Sequence, residues 1–168
     1  MDDAFTLAWQ YSAGLVFPED LPMAAAGLLA AGIGGDSPAL CDLAGRPGRG
    51  EPPVELTELL WQAMAELGLP VPDDGFVQRS LLHHTAARLV SGEITPVEAV
   101  AALWSRIDER TTGAERRLAE LVDQVCCPGC VDTWPVEVTR DWEREMREAA
   151  VEVASAADHR NAASWHRG

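Results

Sequence analysis

The sequence predicts an all-α fold, an irregular bundle of six to eight short helices around one core. Three observations carry that prediction. Apolar residues recur at 3.6-residue spacing in one segment after another. Capping residues and prolines stand where those segments begin, and glycines where they end. No segment alternates at period two, as a half-buried strand would.

The elements follow in order. Phe5, Ala8, Trp9 and Tyr11 mark a short first helix behind Asp2 or Asp3. Pro18-Glu19-Asp20 opens a second over Leu21 to Ala31, stopped by Gly32. Ser37 caps a third, Pro38 takes its first position, where a missing N–H costs nothing, and the helix ends before Gly45. The run Gly45-Arg46-Pro47-Gly48-Arg49-Gly50 reads as a mobile internal loop. In the fourth helix Leu56, Leu59, Leu60, Ala63, Met64 and Leu67 share a face, and Gly68 stops it. Asp73-Asp74-Gly75 turns the chain and caps a fifth from about Phe76 to Ser91, with Val77, Leu81, Thr85, Ala86 and Leu89 inward and Gly92 at its end. Thr95-Pro96-Val97-Glu98 has the form of a capping box for a sixth, whose buried face is Val97, Val100, Trp104 and Ile107. Thr112 and Glu115 repeat that spacing ahead of a seventh, with the stripe Leu118, Leu121, Val122 and Val125. An eighth starts near Pro135 and turns Trp142, Met146, Ala149, Val153 and Ala156 to one side.

At 168 residues, 47% hydrophobic and 24% charged, the chain has the composition of one globular domain, expected over residues 1–157, with a polar tail at 158–168. Its formal net charge is −14, and residues 1–78, with 12 acids and two arginines, hold −10 of it. Such a field repels phosphate backbones and anionic lipid, so nucleic-acid and membrane partners are not expected, and a basic protein partner or cationic ligand is. All 13 basic residues are arginine. Together with the many alanines, that points to the codon bias of a GC-rich genome. The start Met1-Asp2-Asp3 has no basic export region, and the longest apolar stretch, Leu21 to Ile33, is short and broken by proline and glycine. These features predict a cytoplasmic protein whose cysteines are thiols or metal ligands and not structural disulfides.

Cys126-Cys127-Pro128-Gly129-Cys130 is the most conspicuous local feature. Cys127 and Cys130 form a C-x-x-C pair that could present two thiolates to zinc, with Cys126, Cys41 or a histidine completing the set. The plainer reading is a Pro-Gly turn between helices with cysteines as small apolar residues. A thioredoxin-like role is disfavoured, because the cysteines follow a helix and meet its carbonyl end. His83 and His84, adjacent on a helix, point about 100° apart and cannot readily share an ion. His83 falls away from the apolar stripe, and His84 lies at its edge as the better candidate for contact with a partner. Of six tryptophans, Trp104 and Trp142 fit core stripes. Trp61 lies at a stripe's edge, and Trp9, Trp134 and Trp165 lie near ends or loops. Trp61 and Trp134, with His84, are the candidate interaction residues. There is no G-x-S-x-G elbow, phosphate loop, calcium loop or H-E-x-x-H, and no recognisable catalytic constellation.

Leu21-Pro22, Asp36-Ser37-Pro38-Ala39-Leu40, Leu43-Ala44-Gly45 and Gly92-Glu93-Ile94-Thr95-Pro96-Val97-Glu98-Ala99 with Trp104 resemble a group of small all-helical proteins of GC-rich bacteria. The similarity covers about the middle half of the chain and leaves out Cys126–Cys130. It implies an all-helical fold and supplies no activity. Three functional expectations follow. The first is a protein-interaction module of the antitoxin or immunity type, an acidic domain occupying the basic site of a partner. The second is a zinc-stabilised helical domain. The third is an enzyme or small-molecule carrier with a pocket between helices.

Overall fold

Where a capping side chain precedes an apolar stripe, a helix forms. The computed structural model describes residues 3–104 and 113–156, and among them it contains helices and no strand. The all-α class is as predicted. The chain divides into two compact units, Met1–Val77 and Gln78–Gly168. The proposed tail at 158–168, Trp165 and Ile107 lie outside the described residues. No described helix is long and apolar enough to cross a membrane.

The first unit contains α1 (Ala4–Ser12), a 3₁₀ turn (Pro18–Asp20), α2 (Leu21–Ala30), α3 (Pro38–Ala44), α4 (Pro53–Glu66) and the first turn of α5 (Asp74–Ser91). Asp3 caps α1 by accepting the Thr6 N–H at 2.6 Å. Ser37 accepts the Leu40 N–H at 3.1 Å to cap α3, and Asp73 accepts the Phe76 N–H at 2.9 Å to start α5. α3 packs against both α2 and α4. Leu7, Leu21, Leu28, Leu40, Leu43, Leu56, Leu60 and Met64 form the centre of the buried cluster. Burying side chains of this size stabilises by about 1.5–3 kcal/mol each, which makes that cluster the main source of the unit's stability.

Within the glycine-rich loop, Gly48 and Arg46 are held while Gly45, Pro47, Arg49 and Gly50 are exposed. Gly48 is buried with φ at +75°, and a Cβ there would collide with the backbone carbonyl of Glu19. Only glycine combines that conformation with that approach. Arg46 holds the loop's other end to α3 and α4 through Asp42 at 3.4 Å, Glu51 at 3.2 Å and Glu55 at 3.9 Å.

The second unit contains the rest of α5, then α6 (Pro96–Leu103), α7 (Ala114–Asp123), a 3₁₀ segment (Pro128–Thr133) and α8 (Val136–Ser155). The capping box on α6 is complete, with Thr95 N–H on Glu98 at 2.7 Å and Glu98 N–H on the Thr95 hydroxyl at 3.2 Å. α7 packs along α8, with Leu118, Leu121, Val122, Trp142, Met146, Ala149 and Val153 buried. Trp142 Nε1 donates to the Leu121 carbonyl at 3.1 Å.

Three expectations are corrected here. Trp104 is 48% exposed, because α6 ends at Leu103 and the backbone at Trp104 is no longer helical, which takes the indole off the stripe. Ala156 is exposed for the same reason, lying in extended backbone just past α8. The second capping box does not hold α7. Gly113, with no side chain, occupies the cap position, Thr112 lies outside the described residues, and Glu115 is turned inward to other partners.

Candidate metal centre

The 3₁₀ segment that follows α7 is built by its own sequence. Pro128 supplies the fixed φ of a first turn, and the Cys130 N–H closes that turn on the Cys127 carbonyl at 2.9 Å. Thr133 donates its hydroxyl to the Cys130 carbonyl at 2.7 Å. Val131, 3% exposed, anchors the segment, which packs on α6. The tight winding gathers three sulfurs. The Sγ atoms of Cys126, Cys127 and Cys130 all lie within 4.8 Å of one another, the first exposed and the other two half-buried.

Cys126 and Cys130 are paired as a disulfide, with Cα atoms 6.5 Å apart, inside the range such a bond can span. The Cys127 and Cys130 sulfurs are 2.7 Å apart. The pairing departs from the expectation of thiols and is made possible by the winding of residues 126–130. A plain Pro-Gly turn is likewise replaced by a full 3₁₀ segment.

Three sulfurs on one short segment suit a soft or borderline cation. Zinc–thiolate bonds of about 2.3 Å in tetrahedral geometry set sulfurs roughly 3.8 Å apart, so Cys130 Sγ, 2.7 Å from Cys127 Sγ and bonded to Cys126 Sγ, would separate from both by about an ångström to share an ion. The donor set excludes calcium and magnesium, which take oxygen. Cys41 is not part of the group: it is exposed on α3, with its Sγ 3.9 Å from the Gly35 carbonyl. Neither His83 nor His84 joins the group.

The other candidate residues are dispersed. Trp61 is half-buried on α4 and meets Tyr11 edge-on at 5.9 Å, packed against the first core. Trp9 is buried. Trp134, immediately after the 3₁₀ segment, meets Trp142 edge-on at 5.7 Å and is half-buried. His84 is half-buried, and burial, followed by the charge of Arg88, pushes its pKa down. These contacts give Trp61 and Trp134 packing roles within their own units.

One cluster escaped the sequence reading. Oε1 of Glu115 accepts from Arg79 Nη2 at 2.9 Å, Arg79 Nε at 3.2 Å and His83 Nε2 at 2.8 Å. Glu115 is 6% exposed, and its Oε2 is buried with no hydrogen-bond partner among the described residues. Burial alone would raise the carboxyl's pKa, but hydrogen bonds from Arg79 and His83, with their charges, outweigh it and hold the group below its ordinary range. His83 is therefore a partner of a buried carboxylate and not a solvated residue.

A half-open cavity of about 160 Å³ lies beside Gly48, lined by Pro18, Glu19, Arg49, Glu51, Pro53 and Leu56. It is smaller than the roughly 300–1,000 Å³ of pockets that enclose small-molecule ligands.

Fold and site together define an all-α protein of two compact units, the second carrying a three-cysteine cluster. No protein-family model, curated protein or solved structure matches the chain.

Proposed function

We propose that the second unit is a metal-binding helical module that takes one zinc ion through Cys126, Cys127 and Cys130. The observation that carries this reading is the convergence of all three sulfurs within 4.8 Å on a five-residue stretch. Three protein ligands leave one coordination position for water or for a donor from outside the segment, as in zinc sites that stay open. Bound zinc would act first as a staple. It would fix the connection between α7 and α8 in a segment that, of its own apolar side chains, buries only Val131. The test is elemental analysis of protein purified under reducing conditions without chelator. About one zinc per chain is expected, retained in C41A, bound more weakly in C130S and lost when Cys127 and Cys130 are both replaced by alanine. Metal content near zero, with melting unchanged by a chelator, ends this reading.

A second reading concerns the first unit and is favoured by where the charge falls. Residues 1–77 hold 12 of the 27 acidic residues and only two of the 13 arginines, and one of these, Arg46, is engaged by three acids. Beside that charge stand exposed Phe17, Met23 and Val54. A surface of this kind suits a basic protein partner, in the manner of an immunity or antitoxin protein, since complementary fields speed encounter and exclude wrong partners. Affinity capture from the native host at low and at moderate salt is the test. Recovery of no basic protein at either ionic strength counts against it.

A further inference from the structure

Cys126 and Cys130 occur in two roles that cannot coexist. As thiolates they belong to the three-sulfur group that suits a metal, and with each other they form a disulfide. The disulfide removes two of three ligands and leaves Cys127 alone, and one thiolate cannot retain zinc against water. We propose that this segment is a redox gate on metal binding, in which oxidation of the Cys126–Cys130 pair by a hydroperoxide expels the ion. The inference rests on the zinc reading of the same cluster and adds its regulation.

The geometry assigns the order of events. Cys126 is the exposed member and Cys130 is half-buried, so a peroxide meets the Cys126 sulfur first. That thiolate attacks one peroxide oxygen and the O–O bond breaks. With one proton taken up, the products are a Cys126 sulfenic acid and one water. The Cys130 thiolate then attacks the Cys126 sulfur, and the S–S bond forms as the S–O bond breaks. A second proton carries the hydroxide away as water. In sum, two thiolates, one hydrogen peroxide and two protons give one disulfide and two waters, and zinc leaves as the dication. A dithiol reductant reverses the bond, and re-formed thiolates take zinc again. The reaction needs no large movement, because the sulfurs already lie together and Val131 holds the segment in place whichever bond forms.

The test uses the full chain, reduced and loaded with zinc, titrated with hydrogen peroxide in the presence of a chromogenic zinc chelator too weak to strip the reduced protein. The expected result is release of about one zinc per chain, with reactive thiols falling from the four of the sequence to two. The mass of the intact chain should fall by about 2 Da, the two hydrogens lost when a disulfide forms, and no dimer should appear on non-reducing electrophoresis. Dithiothreitol with added zinc should restore the starting state, and C41A should behave as the parent does. Zinc retained after the two thiols are lost overturns the gate and leaves the metal site standing. Masses rising by oxygen additions in place of the 2 Da loss also overturn it. A reduced protein that never takes zinc removes both readings, and the loading step alone reveals that outcome. C126A separates gate from site. It keeps Cys127 and Cys130 for weakened zinc binding but lacks the exposed sulfur, so its zinc should be released by peroxide at least several-fold more slowly. Release at the parental rate would mean that Cys126 is not the sulfur oxidised first.

Discussion

Glu115 shows what a single side chain can decide. Two donors from Arg79 and one from His83 converge on one carboxylate oxygen, inside a unit whose neighbouring positions are apolar. Removing the carboxylate leaves a guanidinium and an imidazole without their shared acceptor. Breaking a fully buried pair costs about 3–5 kcal/mol. Arg79 retains 24% side-chain exposure, so E115A is expected to lose roughly 2–4 kcal/mol, read from the urea midpoint. E115Q, which keeps one acceptor, should lose less. The acid side follows from the lowered pKa. The contribution is fully present above the ordinary carboxyl value of 4.5 and is lost as pH falls through the lower folded value. The drop in stability between about pH 5 and 3 should therefore shrink in E115Q, and an identical acid limb in both proteins would remove Glu115 from the account. None of this was legible in the sequence. Arg79 and His83 are visible as a four-residue spacing on α5, but Glu115 lies 36 and 32 residues away, and the Thr-x-x-Glu spacing offered it a nearer partner.

Helix starts, by contrast, were legible because their chemistry is local. Ser37 with Pro38, and Thr95 with Pro96 and Glu98, carry their instructions within four residues, and both caps form as read. What surrounds a cap is not local. Ser37 is 1% exposed, and its hydroxyl also donates to Glu66 at the end of α4 at 2.6 Å. Glu66 accepts the Ala39 N–H at 3.0 Å as well, and these two bonds hold its carboxyl below the usual range. Cap removal costs about 0.5–2 kcal/mol. S37A should fall at the upper end and T95A, on an exposed turn, at the lower, with thermal melting as the measure. Equal shifts would show that the link to Glu66 adds nothing. In the glycine-rich loop composition does not distinguish one glycine from another, whereas contact does. Gly48 and Gly50 both have positive φ, at +75° and +81°, but a Cβ at Gly50 meets open space. Both alanine variants share the left-handed backbone cost of roughly 1–2 kcal/mol. G48A adds the collision with Glu19 and should be less stable than G50A by a further ~1–3 kcal/mol.

For the whole molecule, the periodicity that revealed each helix carried no information about which helices would share a core. Stripes on α1 to α4 and on α7 and α8 look alike in sequence, and the division near Val77 falls inside α5, where no linker composition marks it. The cysteine cluster was half legible. Spacing indicated Cys127 with Cys130 and offered Cys126, Cys41 or a histidine beside them, and the fold around residues 126–130 selects Cys126 from that set. Charge was counted correctly, but its meaning changes once the units are known. The first holds a net −10 and the second −4. In the second, arginines sit among acids: Arg117 with Glu148 and Glu152, Arg144 with Asp141, Arg147 with Glu143. Salt therefore acts on the two units in opposite senses. Like charges in the first repel across distances comparable to the Debye length, which shrinks from about 20 Å near 20 mM salt to about 4 Å near 0.5 M, so screening relieves them. Exposed ion pairs in the second, each worth about 0–1 kcal/mol, are weakened by the same screening. Hydrogen exchange read by mass spectrometry can follow α4 and α8 separately in one sample. Raising sodium chloride across that range should slow exchange in α4 and leave α8 unchanged or faster. A parallel response of the two helices would mean that the acidic excess of the first unit is already neutralised within the fold, and would remove the electrostatic ground for a basic partner.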